Sequence, residues 1–306
     1  MSKRILFMGT PDYATTIFKK LVESNYELVG LFTQPDKPVG RKQILTPPHI
    51  KQYCIDENIE LPIYQPLKLR GNQEARQQII DLKPDFIIVA AYGQILPKEI
   101  LNIAPCINLH ASLLPKYRGA SPIQEALLND DRYTGVTSML MEEGLDSGDI
   151  LGLQYLKISP TMEVIEAFSK LSTIAAELTI NTLDNFENIK PIKQNESEVS
   201  FCKKIKKEDG LVDFTDAKKL YLKYKAYSFW PGVFLESGLK IKDIKLFETN
   251  SNNKKGEILD IQNDFIVVGC NKGSLKIATI QAPSKKAIKS TDYIRGQRLE
   301  LGSILS

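Results

Sequence analysis

Three side chains stand out for the chemistry they could do together: Asn108, His110 and Asp146. Asn108 and His110 lie two residues apart, just after the apolar run Pro105-Cys106-Ile107 and just before the turn-prone stretch Ser112-Leu113-Leu114-Pro115-Lys116-Tyr117-Arg118-Gly119. His110 is one of only 2 histidines in the chain, so an imidazole here is not a by-product of composition. Strand side chains repeat every two residues, which puts this amide and this imidazole on one face if the segment is a strand. Such a pair can donate hydrogen bonds to an oxygen that becomes anionic, or move a proton near neutral pH. Asp146 lies in Gly144-Leu145-Asp146-Ser147-Gly148-Asp149, where a glycine-framed carboxylate could orient the imidazole and stabilise its charge. A plain Asp/Gly turn has the same composition, and an isolated histidine is more often structural than chemical. The three residues alone leave both readings open.

Groups at a strand end act together only if a sheet holds that end, and the flanking sequence supplies one. Arg4 to Met8, Tyr26 to Phe32, Asp85 to Ala91, Cys106 to His110 and Gly135 to Met141 read as strands. Pro11 to Glu23, Glu74 to Leu82, Pro122 to Leu128 and Glu163 to Leu183 read as helices between or after them. This alternation predicts an α/β, Rossmann-like domain built on a parallel sheet, with ligands bound outside the carboxyl ends of its strands. Gly9-Thr10-Pro11 follows the first strand with one glycine where a dinucleotide fingerprint needs three, which argues against NAD. It fits a tight turn with Pro at the helix entrance or the lining of a substrate cleft. Asn185 to Lys207 is polar and irregular and reads as a linker. Beyond it, one helix (Asp216 to Tyr227) and short β-patterned runs (Val233 to Glu236, Lys240 to Phe247, Gly256 to Asp260, Phe265 to Val268, Ser274 to Ile280) predict a smaller β-barrel. The expected division is 1–189 catalytic, 190–206 linker and 207–306 barrel.

The 306 residues, 42% hydrophobic and 25% charged, suit a soluble globular chain. No apolar run approaches the roughly 18 residues that span a bilayer, and Ile5 to Met8 is too short for a signal-peptide core. No membrane association is expected. Cys54, Cys106, Cys202 and Cys270 have neither metal nor redox spacing, which suggests reduced thiols in the cytoplasm and no metal. The net charge of +3 hides an asymmetry: residues 1–189 carry 18 Lys+Arg against 23 Asp+Glu, and residues 190–306 carry 22 against 14. A basic second half fits a polyanionic partner, although a solvated Lys-rich surface has the same composition. Thr33 to Lys42 holds three cations after a strand and reads either as an ordinary surface loop or as one that touches phosphates. His49 has no chemical neighbour in sequence.

Asn108-Leu109-His110 with Ser112 to Gly119, followed by Gly144 to Asp149, resembles the signature of the folate-dependent formyltransferases. The resemblance runs on through Phe7 to Pro11, Phe32 to Arg41, Ala90 to Pro97, Lys204 to Asp209 and Trp230-Pro231-Gly232, nearly the whole chain. It is similar in particular to those members that formylate an aminoacyl-tRNA. The resemblance implies a Rossmann-like first domain that binds 10-formyltetrahydrofolate and an OB-like β-barrel that helps hold methionyl-initiator tRNA. It implies catalysis by Asn108, which would hydrogen-bond the formyl oxygen, by His110, which would stabilise the oxyanion, and by Asp146, which would orient His110 and help relay the proton. Val89, Tyr92, Gly93, Ile95 and Leu96, with Ser112, Leu113, Leu114 and Pro115, would line the folate pocket. Arg41, Lys42, Lys206, Lys285 and Lys286 would contact tRNA. A monomer without metal is expected. The chain departs from the family's Arg-x-x-Asn-Pro-Trp-Pro segment at Lys225 to Pro231 and from its Gly-Lys-Lys at Ser284-Lys285-Lys286, both in the second domain. A sugar-nucleotide or glycinamide-ribonucleotide formyltransferase would share the trio without needing a basic second half. A formyl-folate hydrolase would use water as acceptor, and a non-enzymatic RNA-binding protein would leave the trio without a purpose.

Overall fold

The computed structural model describes residues 2–40 and 42–306. Its contacts gather into two units. One runs to Pro122 and adds Tyr133–Lys157 and Phe168–Cys202; the other comprises Ile123–Arg132, Ile158–Ala167 and Lys203–Ser306.

In the first unit, β1 (Arg4–Gly9) buries Ile5, Leu6, Phe7 and Met8 completely, as a strand covered on both faces must. Helix α1 (Asp12–Val22) follows, with Asp12 in its first turn and Lys19 and Lys20 in its last, each complementing the helix dipole. The chain continues through β2 (Glu27–Phe32), an exposed hairpin of β3 (Lys37–Val39) and β4 (Ile44–Thr46), α2 (His49–Asp56) and β5 (Ile63–Tyr64). Then come α3 (Gln73–Asp81), β6 (Phe86–Ala90), α4 (Lys98–Leu101), β7 (Cys106–His110) and β8 (Arg118–Gly119). The chain then enters α5 (Pro122–Leu128), which from Ile123 on belongs to the other unit, and the first unit resumes with β9 (Tyr133–Leu140), β10 (Ile150–Lys157), α6 (Val164–Asn185, its own from Phe168) and β11 (Phe201–Cys202). The main sheet has 7 strands in the order β10-β9-β7-β6-β1-β2-β5. The five strands from β7 to β5 are parallel. β9 runs antiparallel to β7, and β10 antiparallel to β9, so the expected parallel sheet carries two antiparallel-paired strands at one edge.

Chain order reverses between β1 and β6: β2 and β5 lie on one side, β7 on the other. That is where an open α/β sheet leaves a crevice outside its strand ends. Thr10, just past β1, donates its hydroxyl to the Tyr92 carbonyl just past β6 at 3.0 Å, and Gln34 Nε2 donates to the same carbonyl at 3.1 Å.

In the second unit, the Asp216 side chain accepts from Lys219 N–H and starts α7 (Ala217–Tyr227). The antiparallel strands β12 (Val233–Phe234), β13 (Lys240–Glu248), β14 (Ile258–Ile261), β15 (Ile266–Gly269), β16 (Ser274–Gln281) and β17 (Ile288–Lys289) form one sheet, closed in sequence by α8 (Ser290–Gly296). Its order is β12-β13-β16-β15-β14, with β17 on β16. Leu220, Ile241, Ile266, Leu275 and Ile277 sit in its core.

Candidate active site

Asn108 and His110 are the third and last residues of β7, on one face and both buried. β7 pairs with β6 through Val89↔Asn108 and with β9 through His110↔Thr137, so both neighbours fix the strand end. Asp146 comes from the turn between β9 and β10, with a φ of 47° that few residues other than glycine tolerate but Asp does. The turn brings its carboxylate to the pair: Oδ1 lies 3.5 Å from Asn108 Nδ2 and Oδ2 lies 3.7 Å from His110 Nδ1. Gly119 N–H donates to the same Oδ2 at 2.8 Å. His110 Nε2 lies 2.9 Å from the Tyr117 carbonyl. A carbonyl only accepts, so Nε2 carries a proton, and Nδ1 is the ring nitrogen that faces Asp146. The trio named from sequence thus meets in one place, although Asp146 lies 38 residues beyond Asn108.

The proposed folate-lining residues divide by environment. Val89, Tyr92 and Leu96 are buried in the cluster that also holds Leu6, Met8 and Phe32. Gly93 and Ile95 are exposed, and Gly93 has a φ of 83°. The Tyr92 hydroxyl is buried with no hydrogen-bond partner, and burial raises its pKa. Ser112 is fully buried and donates its hydroxyl to the Lys116 carbonyl at 2.6 Å. Thr137 Oγ1 accepts from Leu114 N–H and donates to the Ser112 carbonyl, fixing this loop on β9. Leu114 packs with Met139 and Ile150, while Leu113 and Pro115 are half-buried.

Of the basic residues, Lys42 is exposed in the turn of the β3–β4 hairpin; Arg41 lies outside the described residues. Lys206 is exposed before a short 3-10 turn, and Lys285 and Lys286 are exposed between β16 and β17. A cleft of about 1060 Å³ in the second unit is lined by Lys219, Lys223, Lys255 and Lys272 interleaved with Asp213, Asp216 and Glu236. Its mixed charge does not single out an anion. Among the described residues, no three His, Cys, Asp or Glu side chains are grouped to hold a metal ion, and no helix is long and apolar enough to cross a membrane.

Sequence reasoning missed the supports of the trio. Tyr117 accepts from His110, Gly119 donates to Asp146, and buried Arg118 between them reaches Gln194 and Glu196. Arg118 and Gly119 were visible as part of a motif but carried no role. Gln194 gave no signal, because it lies in a polar stretch 76 residues from its partner.

Residues 3–183 match the family described as formyl transferase, and residues 204–298 match the formyl transferase C-terminal domain. The chain belongs to the formyl transferase family and is a formyl-transferring enzyme. Among its relatives are proteins named methionyl-tRNA formyltransferase. That of Nitratiruptor sp. is 58% identical over 299 residues, covering 98% of each chain. That of Campylobacter lari is 52% identical over 99% of each. That of Helicobacter pylori is 50% identical over 99% of this chain and 100% of its own. The fold is shared with WlaRD, a sugar 3N-formyl transferase (TM-score 0.68, 15% identity, 94% of this chain and 100% of that one). It is shared too with HypX from Aquifex aeolicus in complex with tetrahydrofolic acid (TM-score 0.66, 18% identity, 96% of this chain), of which this chain spans 47%.

Proposed function

We propose that the protein transfers the formyl group of 10-formyltetrahydrofolate to the free α-amino group of methionyl-initiator tRNA, yielding the N-formylated form for translation initiation. The observation that carries this reading is 50–58% identity to methionyl-tRNA formyltransferases over essentially their full length, second domain included. Lys42, Lys206, Lys285 and Lys286 are exposed and, among the described residues, make no ion pair, so they offer cations to a phosphate backbone. Together with Arg41 they are the proposed tRNA contacts of a monomer acting in the cytoplasm.

When bound, 10-formyltetrahydrofolate supplies the electrophilic formyl carbon. A polar, ring-bearing ligand fits the switch-point crevice: the backbone at Gly93 is open, with nothing nearer its missing Cβ than the Gln34 side chain at 3.8 Å, and the Tyr92 hydroxyl lacks a partner. Val89, Tyr92, Gly93, Ile95 and Leu96 would form one wall and Ser112 to Pro115 the other. Asn108 Nδ2 is the proposed donor to the formyl oxygen. Its 3.5 Å contact with Asp146 is at the outer limit of a hydrogen bond, so exchanging it for a substrate oxygen costs little. A proton released by the attacking amine can settle on His110 Nδ1, making an imidazolium beside the negative charge on the formyl oxygen. Asp146, 3.7 Å away, stabilises that imidazolium and keeps the ring turned to the site.

The test offers purified protein and labelled formyl donor four acceptors: methionyl-initiator tRNA, methionyl-elongator tRNA, a dTDP-linked amino sugar, and water alone. Transfer should be confined to methionyl-tRNA and favour the initiator. Preferred transfer to the amino sugar, or release of formate without acceptor, would overturn the reading.

A further inference from the structure

The Asp146 turn is held from behind by one amide. Gln194 Nε2 donates to the Asp146 carbonyl at 2.8 Å and to the Gly148 carbonyl at 2.8 Å, spanning the turn that carries the carboxylate. Its other end, Oε1, accepts from Arg118 Nε at 3.0 Å and from Arg118 Nη2 at 2.8 Å. Guanidinium only donates and carbonyls only accept, so the amide has one satisfactory orientation and no freedom to flip. Arg118 is itself fixed: its side chain is 5% exposed, Nη2 pairs with Glu196 at 2.8 Å, and its backbone lies in β8 against β11. The Gln194 segment is brought into register by reciprocal backbone hydrogen bonds between Ile150 and Ile192 at 2.8 and 2.9 Å.

We infer that Gln194, oriented by Arg118, is a positioning residue for Asp146, and that formyl transfer depends on its amide donors. Two observations give this weight beyond ordinary loop packing. First, Gln194 bonds the carbonyl of Asp146 itself as well as that of Gly148, so it fixes the backbone from which the carboxylate projects. Second, three consecutive residues serve the same trio. Tyr117 holds His110 through its carbonyl, Arg118 holds Asp146 through Gln194, and Gly119 holds the Asp146 carboxylate through its N–H. A shift of the β8 segment would move the imidazole and carboxylate supports together. Loss of Gln194 would release only the carboxylate. With His110 Nδ1 and Asp146 Oδ2 already 3.7 Å apart, little outward movement is available before their coupling weakens.

The inference rests on the assignment of Asp146 above, and the experiment separates the two. Gln194→Glu keeps the side-chain length and strengthens the pair with Arg118, but its carboxylate cannot donate to the two carbonyls. Gln194→Met keeps the volume without either function and stands in if the glutamate variant does not fold. Asp146→Asn is assayed alongside. For Gln194→Glu, kcat per folded molecule should fall on the order of 10², with KM for both substrates within about twofold of wild type, while losing the donor to two buried carbonyls also lowers the urea midpoint. Its rate relative to wild type should rise as pH is lowered and the new carboxyl gains a proton that it can donate. A purely structural role would lower the urea midpoint alone and leave kcat per folded molecule intact. Wild-type kcat in a folded Gln194→Glu or Gln194→Met, beside an inactive Asp146→Asn, overturns the inference alone. Full turnover in Asp146→Asn overturns the assignment of Asp146 and the inference with it.

Discussion

Replacing Asp146 by Asn should lower kcat about 10³-fold while leaving the protein folded. The carboxylate faces His110 Nδ1 at 3.7 Å, with 7% and 14% of the His and Asp side chains exposed. At an effective dielectric of about 20, opposite unit charges at that distance attract by about 4 kcal/mol. The attraction acts on the imidazolium that the proposed proton transfer forms, and so on the rate. Divided by 1.36 kcal/mol per tenfold, it corresponds to about three orders of magnitude. A second effect has the same sign. Gly119 N–H, which now donates to Oδ2 at 2.8 Å, would keep the amide oxygen of an asparagine and turn its NH2 toward Asn108 Nδ2, donor against donor. Stability changes little, since one charge-assisted hydrogen bond becomes a neutral one, a difference of about 1 kcal/mol. The assay is single-turnover formyl transfer at saturating donor and acceptor, with urea unfolding as the control for folding. A loss below tenfold in a folded variant, or a loss confined to KM, would refute the charge argument.

Three further outcomes are expected. Asn108→Ala and His110→Ala should each lose on the order of 10²–10³ in kcat with circular dichroism unchanged, and near-wild-type turnover in either would remove that residue from the mechanism. Lys285→Glu combined with Lys286→Glu should raise KM for tRNA, leave KM for the formyl donor alone, and reduce the salt slope of tRNA binding by about 0.9 per lost phosphate contact; equal changes in both KM values would contradict the division of labour. Lys225 is buried, its Nζ 3.2 Å from the Pro160 carbonyl, and burial lowers its pKa below the ordinary 10.5. Between the lowered value and 10.5 the unfolded chain binds more protons than the folded one, so stability should rise with pH across that window. The urea midpoint followed upward from neutral pH should show this rise in the wild type and lose it in Lys225→Met.

The trio was legible because its members sit where residue type and local pattern agree. β7 is apolar up to Asn108, the Asn108/His110 spacing matches the strand period, and Asp146 lies between glycines. The central strands β1, β2 and β6 were legible for the same reason, each being a short apolar run between turns. What escaped was short or depended on distant partners. β3 and β4 are three residues each and wholly exposed, so no hydrophobic period marks them. β10 is buried at its start and mostly exposed beyond, as an edge strand antiparallel to its neighbour, and lacks the continuous apolar run of the parallel strands. Gln194 is buried within a stretch whose polarity reads as a linker, and only the folded chain reveals that Arg118 and two carbonyls satisfy it. Periodicity records which residues face a core; it does not record which polar groups will find each other across it.

Asn108, His110 and Asp146 are proposed to move a formyl group onto the amine of methionyl-initiator tRNA. The most direct measurement follows radiolabelled formyl from 10-formyltetrahydrofolate into acid-precipitable methionyl-initiator tRNA, comparing wild type with the triple variant Asn108→Ala, His110→Ala, Asp146→Ala at matched circular dichroism. Label should appear on the α-amino group with the wild type and only at background with the variant. Label transferred by the folded triple variant, or none transferred by the wild type, would contradict the proposal.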